Sequence, residues 1–409
     1  NSKIIVVDCG VLFPAESQPG IDLILPDFTY LHDRWDDIEA VFLTHGHEDH
    51  IGAVPFFLKN KNDIPIYSTE LTLAFLQAKL QEHRVNGVLR TVNDNDVVNT
   101  GNFEVSFIAV NHSIPDAVAL AIRTKAGLVI HTGDFKMDQL PLDNRMTDLR
   151  TLSRLGEQGV DVLMADSTNA EIPGFVPSEA DIMPTLESVY ASAQGRIIVA
   201  SFASHVHRIQ QIIDVAVLYK RKVAFIGRSM VRNMTIAKEL GHLTIPDGTL
   251  VSNSDLDNFA DHQVVLISTG SQGEPMSALS RMASKDHKIH ITEHDTVILA
   301  SSLIPGNENS VGRVINGLSR LGAKVIHKAN AFVHVSGHAA SGELLMLYNI
   351  VKPKNVLPVH GEPRHLLANA HLAKKAGVDS VVVLEDGMVA DLENSRLRIV
   401  GAVDCGYVY

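Results

Sequence analysis

The chain has 409 residues, 45% hydrophobic and 20% charged, with a formal net charge of −12. That is an ordinary globular composition, long enough for two domains and able to bury a core without staples. The acidic balance argues against a basic nucleic-acid coat, no run of some 18 apolar residues suggests a membrane span, and the two cysteines form no framework.

The cysteine usage fits a reducing compartment, so a cytoplasmic location is expected. No secretory signal is visible, and the start at Asn1 rather than Met suggests residues upstream. In chain order, β-branched runs predict strands at "IIVVD" (4–8), "AVFLT" (40–44), "EVSFIAV" (104–110), "GLVIHT" (127–132) and "DVLMAD" (161–166). Helical periodicity is clearest over 69–84. From about 181 the rhythm becomes strand, helix, strand, with strands at 263–269 and 295–301 and a helix over 309–321. Such alternation predicts a parallel sheet wrapped by helices. Residues 355–377 return to strand, histidine-bearing turn and helix. Without a linker between the two patterns, the second unit reads as inserted into the first.

Chemistry concentrates in "THGHEDH" (44–50), directly after a strand. His45-x-His47 in a turn can aim two imidazoles at one point, and Asp49-His50 one turn on can aim at a second point nearby. Neutral imidazole and carboxylate suit zinc or manganese. His112 in "VNHSIPD", Asp134 in "HTGDF" and His360 in "PVHGE" also stand at strand ends. A polar turn or a satisfied histidine explains any one of them; the joint placement favours a metal site. Seven donors divide between two ions: His45, His47 and His112 on one, Asp49, His50 and His360 on the other, with Asp134 bridging. Two ions about 3.5–4 Å apart can activate water and stabilise an in-line phosphoryl displacement.

His45-x-His47-x-Asp49-His50, His112 and Asp134 resemble the ligand motifs of the metallo-β-lactamase fold. Three further runs resemble the β-CASP ribonucleases of that superfamily, most closely the bacterial RNase J group. They are "ADSTN" with Asp166, "HVSGHAASGE" with His338 and "LPVHGE" with His360. The resemblance covers nearly the whole chain. It implies an α/β architecture, a metallo-β-lactamase αββα sandwich over 1–180 and 347–409, with a β-CASP domain over 181–346. That family carries strands ahead of "IIVVD" and usually a C-terminal domain, which this sequence does not show.

The resemblance also implies roles. Asp8 would steady the histidine loop, and Asp49 would act at the catalytic centre as well as on a metal. His338 would face the scissile phosphate as general acid, kept protonated by Asp166. Two Zn²⁺ per subunit are expected, with Mn²⁺ or Mg²⁺ as substitutes. The expected activity is 5′-to-3′ exoribonuclease with some internal cleavage, in mRNA decay and rRNA maturation, by a homodimer or homotetramer. The partner would be single-stranded RNA, preferably 5′-monophosphorylated. Its terminal phosphate would sit on the turn Ser336, Gly337, His338, Ala339, Ala340 and Ser341, where a helix start offers N–H groups. Ser204, His207 and Arg208 are further RNA candidates, although capping and a solvated helix face explain them equally well. Two other readings remain: a hydrolase of the same fold acting on a thioester, lactone or lactam, and a non-catalytic RNA-binding subunit.

Overall fold

The structure is a computed structural model that describes residues 3–14, 18, 20, 21, 23–304 and 306–409. It divides into two compact units. One is built chiefly from Gly20–Val176 and Gly337–Tyr409 together with the first strand, and the other from Pro177–Ser336.

In the first unit the strands Ile4–Val7, Ile38–Phe42, Pro65–Ser68 and Val88–Thr91 form a parallel four-stranded sheet. A seven-stranded sheet runs in the order Ser380–Val381, Asn355–Val359, Val162–Asp166, Gly127–His131, Val118–Thr124, Glu104–Ala109, Val97–Asn99. Its first four strands are parallel and the rest are antiparallel. Alternating apolar positions of both sheets meet in one core of Ala40, Phe42, Val105, Phe107, Val118 and Leu120. On the outer face of the larger sheet a second core gathers Leu152 and Leu155, Leu344, Leu347 and Tyr348, and Ala373, each group from a different helix. Helices Val54–Leu58 and Glu70–His83 pack together beside the smaller sheet. This is the expected αββα sandwich.

The second unit is a five-stranded parallel sheet in the order Lys222–Ile226, Val264–Ser268, Ile197–Ala200, Thr296–Leu299, Lys324–Ile326. Its central strands are almost wholly buried, which is why they read as continuous apolar runs. Helices Val206–Leu218, Arg228–Glu239 and Glu308–Arg320 alternate with them, as the rhythm of the sequence predicts.

One boundary differs from the sequence expectation of a return at 347. The His338 turn and the helix Ser341–Val351 belong to the first unit. The reason is local: Glu343 accepts the N–H groups of Met137 and Val176, and the apolar face of the helix fills the sandwich's outer core. Leu347 is fully buried there. Leu347→Ala is therefore expected to destabilise this unit by about 2–5 kcal/mol in urea unfolding; a loss below about 1 kcal/mol would contradict that placement.

Candidate metal centre

The strand Ile38–Phe42 delivers Thr44 and His45 to the end of the smaller sheet. His47 then caps the short helix Glu48–Ile51, whose first turn carries Asp49 and His50. The loop is locked from below. Asp8 accepts hydrogen bonds from Thr44 N at 2.7 Å, Thr44 Oγ1 at 2.8 Å and His50 Nδ1 at 2.7 Å. Asp8 holds a left-handed φ of +57° to do so. Next to it, a Cβ on Gly10 would lie 1.6 Å from the Asp49 carbonyl oxygen, so only glycine lets the two segments approach.

The other groups arrive from the larger sheet. His112 follows Glu104–Ala109, Asp134 follows Gly127–His131, Asp166 ends its strand, and His360 follows Asn355–Val359. One donor atom each from His45, His47, His112 and Asp134 lies within 4.8 Å of the others. The same holds for Asp49, His50, Asp134 and His360, and for Asp134, Asp166, His338 and His360. The structure thus brings together all seven donors read from the sequence, with Asp134 common to every group.

Do these donors fit metal ions? His45 Nε2 and His112 Nε2 stand 3.0 and 3.1 Å from His47 Nδ1. The carbonyl of Gly337, 2.7 Å from His112 Nδ1, can only accept, so that nitrogen carries the proton and neutral His112 turns a lone pair inward. One proton on His47 Nδ1 cannot satisfy both facing nitrogens. His50 Nε2 and Asp134 Oδ1 are buried and make no well-aligned hydrogen bond, their nearest partners being Asp134 Oδ2 at 3.2 Å and His360 Nδ1 at 3.3 Å. Buried lone pairs without protons to fill them are what a cation would satisfy.

For three of the five histidines the favoured charge state is already the ligating one. Burial holds His45 and His112 well below the usual histidine range, and pushes His47 down to about 4 despite Asp49 and Asp134 nearby. These three imidazoles are neutral, the ligating form. Burial also opposes charge on His50 and His360, but the carboxylate of Asp134 and its neighbours outweigh it and raise both. The Asp134 carboxyl is buried too, yet His360, His50 and His338 hold it well below the usual carboxylate range.

Beside this cluster His338 Nδ1 lies 2.8 Å from Asp166 Oδ2. Burial works against its protonation, and Asp166 followed by Asp134 overturns that, raising the imidazole above its ordinary value. Asp166 is itself held by Thr168 N on Oδ1 at 3.0 Å. The His338 side chain is 20% exposed and so remains within reach of a substrate.

One RNA contact expected from the sequence is corrected, and the others gain no support. Arg208 is fully buried; its guanidinium is paired with both oxygens of Glu179 and donates to the carbonyls of Ala300 and Val333. It braces the second unit and is not a surface contact. Ser204 and His207, both half-buried, lie at the start of the same helix in that unit. The turn expected to hold a terminal phosphate offers little. Gly337, Ala339 and Ala340 are part of a packed turn, and the N–H groups of Ala340, Ser341 and Gly342 already donate to Glu343 Oε2, Ile172 O and Gly174 O. Ser341 is half-buried in the first unit, whereas Ser336 ends the second. The supporting residues Thr44, Thr168, Asn169 and Glu343 lie inside the quoted runs, but the sequence does not single them out, because their roles depend on contacts between distant segments.

The αββα sandwich, the parallel-sheet unit and the histidine–carboxylate cluster define a metallo-β-lactamase-fold protein of the β-CASP type. Residues 1–154 match the metallo-β-lactamase superfamily, 194–318 the β-CASP domain of ribonuclease J, and 322–383 a Zn-dependent metallo-hydrolase RNA specificity domain. Ribonuclease J of Mycobacterium tuberculosis is 53% identical over 410 residues, 100% of this chain and 74% of its own length. Ribonuclease J of Corynebacterium glutamicum is 53% identical over 412 residues, and that of Helicobacter pylori strain B128 42% over 411. The chain spans 57% and 59% of those two. A crystal structure of a protein of unknown function from Enterococcus faecalis shares the fold, with a TM-score of 0.66, 17% identity and coverage of 98% of this chain and 95% of its own. The chain belongs to the ribonuclease J family.

Asp134→Ala and His45→Ala are each expected to lower bound metal sharply in elemental analysis after dialysis, with folding retained. Full occupancy in either variant would contradict the ligand assignment.

Proposed function

We propose that the protein is a metal-dependent ribonuclease that hydrolyses phosphodiesters of single-stranded RNA. The observation that carries this reading is the Asp166–His338 pair, at 2.8 Å, set against the seven-donor cluster. An ion-holding cluster alone serves many hydrolases. A histidine whose protonated form Asp166 favours adds a proton donor for an alkoxide leaving group, which a phosphodiester needs. The relatives' name, ribonuclease J, supports the same substrate class.

His45, His47 and His112 would hold one zinc and Asp49, His50 and His360 the other, with Asp134 between them; manganese or magnesium can take these oxygen- and nitrogen-rich positions. Bound there, the ions supply Lewis acidity to a phosphate oxygen and acidity to a water molecule. The chain supplies the rest. Asp134, buried and ionised, holds the two donor sets together. Asp8 and the Gly337 carbonyl fix which nitrogen His50 and His112 present. His338 gives its Nδ1 proton to the hydrogen bond with Asp166, and the proton on Nε2 is the one transferred to the leaving oxygen. Asp166 stays ionised throughout, its negative charge favoured by His338 over the cost of burial.

In line with its family, the proposed activity is 5′-to-3′ exonucleolytic with some internal cleavage, in mRNA decay and rRNA maturation in the cytoplasm. The assembly would be a homodimer or homotetramer. Among the described residues no helix is long and apolar enough to cross a membrane. The helix start at Ser341 gives no support to a preference for a 5′-monophosphate, since its first N–H groups are engaged. A thioester or lactam hydrolase has no use for the Asp166–His338 pair. A silent subunit has no use for seven intact donors.

A 5′-labelled RNA incubated with the zinc-loaded protein tests the proposal. The wild type should cleave it and a chelator should stop it; no cleavage with metal bound would overturn the reading. His338→Ala should keep its metal but cleave about 10²–10⁴-fold more slowly, the usual worth of a general acid. Loss of metal in that variant would make His338 a ligand and not the acid.

A further inference from the structure

Glu343 is a buried carboxylate, 1% exposed, that accepts three backbone N–H groups. Met137 N donates to Oε1 at 2.7 Å; Val176 N and Ala340 N donate to Oε2 at 2.9 and 2.8 Å. Two of these donors lead to the metal centre. Met137 is three residues beyond Asp134 on the same loop. Ala340 closes the turn that begins at Gly337, whose carbonyl takes the Nδ1 proton of His112 at 2.7 Å. That turn is tight against the histidine: a Cβ on Gly337 would lie 2.7 Å from His112 Nδ1 and 2.8 Å from Cε1. It has little room to drift and still make the bond. Asn169 Nδ2 holds the next carbonyl, that of His338, at 2.9 Å.

We propose that Glu343, which touches neither ion nor substrate, is a positioning residue of the metal centre. One oxygen steadies the Asp134 loop. The other pins the turn whose carbonyl selects the His112 tautomer and so presents Nε2 as a ligand. The same turn carries His338, so one carboxylate aligns Asp134, His112 and the proton donor. An acid is needed because all three partners are donors; an amide would turn its own N–H groups toward one of them. This inference rests on the metal-centre reading above.

The test is metal affinity, with no turnover involved. Wild type and Glu343→Gln, stripped of metal, are titrated with Zn²⁺ against a chromophoric chelator, and circular dichroism checks the fold. The wild type should bind tightly, and Glu343→Gln roughly 10- to 100-fold more weakly, the usual effect of losing a group that orients a ligand. A wild type that binds no zinc would sink the metal centre itself. A folded Glu343→Gln that binds as tightly as wild type would overturn only the positioning role. Should that variant not fold, hydrogen exchange on wild type decides by reciprocity, because a turn that favours the ion must be favoured by it. Zn²⁺ should slow exchange at the Met137 and Ala340 amides. Unchanged exchange there, with zinc bound, would overturn the proposal.

Discussion

The Asp134 carboxylate, 2% exposed, is the constraint on which the rest of the site depends. Its oxygens lie 3.2 Å from His50, 3.3 Å from His360, 3.6 Å from His45, 3.7 Å from His112 and 3.9 Å from His338. A buried anion without compensation costs several kcal/mol. Here it is compensated by its neighbours: without an ion the carboxylates favour protons on His50 and His360, and a bound cation would take the place of those protons. The histidines whose protonation is disfavoured and those whose protonation is favoured are set apart by the carboxylates each one meets. Asp8 and Asp49 reinforce His50, and Asp166 reinforces His360 and His338, whereas His45 and His112 are dominated by burial.

Holding so many polar groups in one place requires a stiff frame, and the sandwich supplies it. His45, His112, Asp134 and His360 lie just beyond strands whose other residues lie in apolar cores, and Asp49 and His50 sit on the short helix that follows, so the donors inherit the rigidity of the sheets. The cost appears as local strain at both margins. Asp8 and His360 hold φ of +57° and +55° without being glycine. Each is held by hydrogen bonds from another segment: Thr44 and His50 on Asp8, Thr168 and Ser167 on His360.

Much of this was legible in the sequence, for identifiable reasons. Metal donors are a rare residue type in a rare order, so His45-x-His47-x-Asp49-His50 stood out. The strand runs in the second unit are apolar on both faces and could not be mistaken for surface. What escaped depends on contacts between segments far apart in the chain. Glu343 reads as an ordinary helix N-terminal acid, and nothing local tells that Met137, 206 positions away, is its partner. Arg208 misled for the opposite reason. A basic residue near a helix start suggests a phosphate contact, but Glu179 lies across from it in a dry interior. The turn at 336–341 is a related case, since its backbone lends the expected phosphate site no support. A helix start offers free N–H groups only if no other segment reaches them, and residues 172–174 do.

Anomalous scattering at the zinc edge, from crystals of the zinc-loaded protein, tests the central claim most directly. Two peaks are expected on either side of Asp134, one ringed by His45, His47 and His112 and the other by Asp49, His50 and His360. Asp166 and His338 should coordinate neither. A single ion held by another set of donors, or an ion ligated by His338, would contradict that claim.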